Sequence, residues 1–101
     1  MMRYTIELIS KITQSKSILN DMIASAEKQG AKNFEMLYTI REALEEATYL
    51  VKNQENPGID FIKKWNGVMG WVHRDFEGHP ILQLIYSIDE ELIPNNMKLV
   101  K

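Results

Sequence analysis

The sequence predicts an all-α protein, an antiparallel up-down-up-down four-helix bundle. Three observations carry this. Four segments keep their apolar residues on one stripe at the helical period, glycine and proline punctuate the gaps between them, and each gap is only a few residues long. Short connections force neighbouring helices to run antiparallel.

The first helix is expected over residues 5–28. Leu8, Ile9, Ile12, Leu19, Met22, Ile23 and Ala26 share a face, and Gly30 follows where a left-handed cap is wanted. Ser15 and Lys16 interrupt this stripe, which makes the first helix the loosest of the four. The second is expected over 33–52, where Met36, Leu37, Ile40, Leu44, Ala47 and Val51 repeat at threes and fours among good helix formers. Asn56-Pro57 reads as an N-cap followed by proline at the first helical position, so the third helix is expected over 57–76. Its stripe is Phe61, Ile62, Trp65, Val68, Met69, Val72 and Phe76, with Lys63, Lys64, Asn66 and Arg74 outside it. Pro80 opens a fourth helix over 80–92, striped by Ile81, Leu82, Ile85, Ile88 and Leu92, and Pro94 ends it ahead of a tail within 93–101.

Two local signals compete with these assignments. Asn66-Gly67 between apolar runs is a strong hairpin signal, yet one apolar arc fits the segment better than broken alternation does, even with Gly67 and Gly70 inside the helix. Met2, Tyr4, Ile6 and Leu8 alternate, which leaves a short N-terminal strand as an alternative.

The 101 residues suffice for one domain, 1–101, and not for two that each bury a core. An apolar fraction of 45% and a charged fraction of 26% place the chain among folded domains rather than disordered ones. The absence of cysteine excludes disulfides, thiolate nucleophiles and cysteine-based metal sites. No signal peptide or transmembrane stretch is visible, so a cytoplasmic location is expected. A net charge of −2 argues against a broad nucleic-acid-binding face.

The densest polar cluster is His73-Arg74-Asp75-Phe76-Glu77-Gly78-His79. A metal site there would use His73, Asp75, Glu77 and His79, but a spacing of two brings those side chains together only on a strand, so no metal is assigned. Arg74-Asp75 followed by His79 resembles the arginine–histidine motif of the HEPN ribonucleases, which are also small and helical. That resemblance implies Arg74 stabilising charge on a scissile phosphate and His79 acting as general acid or base. The competing expectation is a helix end and its turn: His73 and Arg74 at the negative end of the helix dipole, Gly78 as cap, and His79 preceding the next helix. Phosphate loops, nucleophile elbows and HExxH are absent, and no cofactor is assigned.

Surface features point to a binding protein instead. Tyr38, Glu42, Glu45 and Tyr49 step by four, three and four along the second helix, opposite its core stripe, as an outward aromatic and acidic row. Trp71 lies off the third helix's stripe and needs a cover, either the apolar tail Met97-Lys98-Leu99-Val100 or a partner protein. These residues predict contact with a protein or self-association.

The chain length, the four helices, the run Ile40-Arg41-Glu42-Ala43-Leu44-Glu45-Glu46 leading to Asn53-Gln54-Glu55-Asn56-Pro57, and the fourth helix Leu82-Gln83-Leu84-Ile85-Tyr86-Ser87-Ile88-Asp89-Glu90 resemble the small immunity proteins of pediocin-like bacteriocins. The resemblance implies a bacterial, non-enzymatic bundle that protects the producing cell from its own peptide toxin from inside, with recognition in the C-terminal half and room for peripheral membrane contact. Mild acidity and the short tail after Pro94 depart from that pattern.

Overall fold

A computed structural model describes residues 4–30 and 35–98. Among these residues four helices follow in order, α1 (Ile6–Lys28), α2 (Glu35–Lys52), α3 (Ile59–Asp75) and α4 (Pro80–Leu92), and a 3-10 turn, Asn95–Met97, lies in the tail. Among the described residues there is no strand. The Asn66-Gly67 pair lies inside an unbroken α3, and the alternating N-terminal residues enter α1 at Ile6. Met2 lies outside the described residues, as does the expected start of the second helix at 33.

Cross-links between the helices give their directions. Arg41 on α2 donates to Asn20 Oδ1 on α1 at 3.2 Å, while Tyr4 just before α1 donates its hydroxyl to the Glu55 carbonyl just after α2 at 2.8 Å. Lys64 on α3 bonds Glu46 on α2, Trp65 on α3 bonds Asp89 on α4, and Thr5 at the start of α1 bonds Glu91 near the end of α4. Each pair matches an early position with a late one, so all four neighbouring pairs are antiparallel and the square closes between α1 and α4. The bundle measures 46 × 24 × 24 Å.

The core is the set of stripes turned inward: Leu8, Ile12 and Leu19 from α1, Ile40, Leu44 and Val51 from α2, Trp65, Val68 and Val72 from α3, Ile81, Ile85 and Ile88 from α4. Burying a side chain of this size stabilises the fold by about 1.5–3 kcal/mol. The helix expected to be loosest is instead the hub, because α1 packs closely on both α2 and α4. Ser15, which breaks its apolar stripe in the sequence, is fully buried and returns its hydroxyl to the Lys11 carbonyl at 2.9 Å. A small side chain that satisfies its own polar atom lets a neighbouring helix approach, so it belongs to the packing stripe.

The helix ends follow capping chemistry with one shift. Thr5 caps α1 by accepting the Leu8 N–H at 3.2 Å, with the Glu91 carboxylate beside the positive end of the helix dipole. Gly30 sits past α1 at φ 66, the left-handed conformation expected of it. The third helix starts two residues later than expected, at Ile59, with Gly58 rather than Asn56 as its N-cap. Tertiary contact explains the delay. Gln54 takes φ 52 and ends α2, Glu55 N–H returns to the Leu50 carbonyl at 2.9 Å, and Tyr4 binds both Gln54 and Glu55, which holds the chain out of helix through this loop. At the other end of α3 the cap is Phe76, not Gly78. Gly78, at φ 81, is instead the third residue of a turn closed by His79 N–H on the Phe76 carbonyl at 2.9 Å.

Candidate interaction surface

The aromatic and acidic row on α2 is divided by its neighbours. Tyr38 leans toward α1, where its hydroxyl bonds the Glu27 carboxylate, and the Arg41 guanidinium lies over its ring at 4.9 Å from the centroid. The bond to Glu27 raises the Tyr38 pKa, since ionising the phenol would lose a donor and add a second negative charge. Glu42 leans the other way, toward α3, where Lys64 reaches it at 3.2 Å and Glu46 at 2.7 Å. These two carboxylates, Glu46 foremost, raise the pKa of Lys64. Glu42 stays exposed despite its bond to Lys64, Glu45 is exposed and Tyr49 is 61% exposed, so these three residues of the row face solvent while Tyr38 is half-buried.

Trp71 is half-buried. Asn66 donates to the Met97 carbonyl at 3.0 Å, which docks the tail on the flank of α3 next to α4. Five residues further along a helix the direction has turned by about 140°. Trp71 therefore falls on the opposite flank, the one that Lys64 presents to α2. Leu99 and Val100, two of the tail residues offered as a cover for Trp71, lie outside the described residues.

The polar cluster at the end of α3 takes mostly local roles. Arg74 is exposed and contacts its neighbour Asp75 at 3.4 Å. His79 caps α4, its Nδ1 accepting the Ile81 N–H at 3.2 Å, which leaves the proton of the neutral ring on Nε2. His73 turns toward α4 and bonds the Tyr86 hydroxyl. Among the described residues no three histidine or carboxylate side chains gather as a group able to hold a metal ion.

Two features lie outside the apolar stripes. The first is a carboxylate inside the core. Asp89 is 7% exposed and accepts the indole N–H of the fully buried Trp65 at 2.8 Å. Burial raises its pKa, against the opposing pull of the Trp65 hydrogen bond and the Lys98 charge. Its position one residue past Ile88 places it on the inner arc of α4, the one clue the sequence offered.

The second feature is the distribution of exposed apolar side chains. Among the described residues the large ones are Ile6 (74% exposed), Tyr49 (61%), Ile59 (57%) and Met97 (41%). Ile6 begins α1, Tyr49 is in the last turn of α2, Ile59 begins α3 and Met97 follows α4. In an antiparallel bundle these four positions are one end of the molecule, the end that Tyr4 ties to the α2–α3 loop and Thr5 ties to Glu91.

Among the described residues no helix is long and apolar enough to cross a membrane. Compared with known proteins, the chain matches no family model, no characterised sequence and no solved structure.

Proposed function

We propose that this chain is a non-enzymatic, protein-binding helical bundle that engages its partner through the end where α1 and α3 begin and α2 and α4 finish. One observation carries the reading: Ile6, Tyr49, Ile59 and Met97, the large apolar side chains left exposed, gather at that single end. Exposed apolar groups scattered singly need no explanation, whereas their concentration at one pole marks a contact surface. Tyr49 also ends the α2 row, so the open carboxylate of Glu45 lies one turn away from the same end and favours a partner with basic groups.

Within this class, the resemblance to the pediocin-like immunity proteins supplies the specific proposal: a bacterial, intracellular protein that protects its cell from a peptide toxin. The ribonuclease alternative draws no support from the geometry of Arg74 and His79, since one contacts Asp75 and the other caps α4. The test is expression in a bacterium sensitive to pediocin-like peptides, followed by challenge with a panel of them. Protection is expected, and Ile6→Ser together with Tyr49→Ser should abolish it without lowering the unfolding midpoint. No protection against any member of the panel would end the immunity reading. Protection indifferent to both substitutions would move the surface elsewhere.

A further inference from the structure

One reactive pair in the chain is used by neither the core nor the binding surface. Asn66 is the only asparagine followed directly by glycine, and the pair lies inside α3. The Asn66 carboxamide ties the tail to α3, its Nδ2 donating to the Met97 carbonyl at 3.0 Å, while its Oδ1 is buried with no donor among the described residues. Gly67 is exposed, and a Cβ added to it would meet nothing within 4 Å. Packing within the bundle therefore gives no reason for a glycine that costs the helix about 1 kcal/mol relative to alanine.

We propose that Asn66 is a site of spontaneous deamidation, that reaction there records opening of α3, and that its product releases the tail. The nucleophile is the Gly67 backbone nitrogen. Having lost its proton to hydroxide, it attacks Asn66 Cγ. The N–Cγ bond forms, the Cγ–Nδ2 bond breaks, and the amide group leaves as ammonia after taking a proton from water. The five-membered succinimide that results is opened by water at either carbonyl, which leaves aspartate or isoaspartate and restores the Gly67 N–H. One water is consumed and one ammonia released, with no oxidant or cofactor. Glycine suits the step because no side chain shields its nitrogen and its backbone adopts the ring geometry freely.

A closed helix blocks this attack, since each N–H of an α-helix is bonded to the carbonyl four residues back. Several features favour opening of α3. It begins on Gly58 without a side-chain cap, contains Gly67 and Gly70 in its interior, and packs less closely on α2 and α4 than α1 does on the same two helices. The modified chain does not regain the contact. Aspartate has no N–H for the Met97 carbonyl, and it brings charge to a position where one oxygen is already buried without a donor. Isoaspartate adds a methylene to the main chain and so breaks the helical ladder. Each opening that reacts is thus recorded irreversibly. Withdrawal of Met97 from the apolar end is a consequence that rests on the binding surface proposed above, whereas deamidation and tail release do not.

The experiment incubates the full chain in mildly alkaline buffer at physiological temperature, folded and in urea, and follows aspartate and isoaspartate at Asn66 by peptide mapping with separation of the isomers. Conversion of the folded chain is expected, slower than in urea by the fraction of time that α3 is open. Gly67→Ala, whose methyl group meets open space, should slow conversion at Asn66 several-fold in both samples. Backbone ¹⁵N relaxation should show a several-fold rise in the open population of Asn95 to Lys98 in Asn66→Asp. Should that variant fail to fold, Asn66→Ala, which removes the donor without adding a charge, carries the tail measurement. A folded chain that stays unconverted at Asn66 while the urea sample reacts to completion would overturn the opening of α3. A tail as ordered in Asn66→Asp, or in its substitute, as in the wild type would overturn the release. Converted protein that still protects a sensitive cell would overturn only the link to binding.

Discussion

The two sides of α4 join their neighbours differently. On one side α1 lies close along its length, with Ser15 fully buried between Ile12 and Leu19 and a long polar reach, Thr5 to Glu91, at the end of the seam. On the other side α3 stands further off, and long side chains span the gap: Trp65 to Asp89 in the core and His73 to Tyr86 at the rim. A small residue permits backbone approach and non-specific apolar contact, whereas a wide seam is filled by large side chains whose polar tips require partners. The first seam should be sensitive to volume. The second should be sensitive to hydrogen bonding and charge.

The largest effect is expected at the wide seam. Trp65 is fully buried, stacked on Phe61 with ring centroids 5.9 Å apart, and is the donor for Asp89. Trp65→Ala should destabilise by about 3–5 kcal/mol in urea titration, from the cavity and the carboxylate left unpaired. A loss below about 2 kcal/mol would mean that the gap collapses without its filler.

The close seam is broken by adding volume. Ser15→Leu should destabilise by about 1–3 kcal/mol through overpacking, while Ser15→Ala should be close to neutral because its hydroxyl bonds only the Lys11 carbonyl of its own helix. Equal effects of the two substitutions would show that the seam has slack.

Asp89 separates hydrogen bonding from charge. Asp89→Leu leaves the Trp65 N–H buried without an acceptor and should lose about 1–3 kcal/mol, whereas Asp89→Asn keeps an oxygen at that position and should fold at neutral pH at least as stably as the wild type. The folded-state pKa of Asp89 is raised above its unfolded value, so the folded state takes up a proton more readily than the unfolded chain. Its contribution to stability is therefore full below the unfolded pKa and lost as pH rises through the folded one. The wild type should gain on Asp89→Asn as pH is lowered through that window. A gap between the two proteins that stays constant with pH would contradict the burial effect.

The smallest effect is expected outside both seams. Lys64 bridges Glu42 and Glu46 from a position whose side chain is 34% exposed, so Lys64→Ala should change stability by less than about 1 kcal/mol and the difference should shrink further in high salt.

The helical stripes were legible because apolar periodicity is a local property: every residue of the α2 stripe from Leu37 to Val51 can be placed by counting along the chain. The Pro80 start and the Gly30 end were equally legible, since proline and glycine act on their own backbone. The same local reading misplaced the start of α3, because what delays it is Tyr4, 50 residues away from Gln54 in the chain. It also treated Ser15 as an interruption, since size and self-satisfaction matter only once a neighbouring helix is in place.

The candidate surface was legible in part. Tyr49 and Glu45 were found by spacing and do face solvent, whereas the engagement of Tyr38 with Glu27 and of Glu42 with Lys64 depends on which helices flank α2. Ile6, Ile59 and Met97 gave no signal, because each is a single apolar residue at the margin of an element.

Sequence alone thus determined the number of helices, their amphipathic faces and, through short connections, their alternating directions, all of which follow from interactions within a few residues. Tertiary structure alone decided which seam is close and which is wide, that Asp89 is buried against Trp65, and that four unrelated apolar residues share one end. Those outcomes depend on distances between residues far apart in the chain, and the helical period contains no information about them.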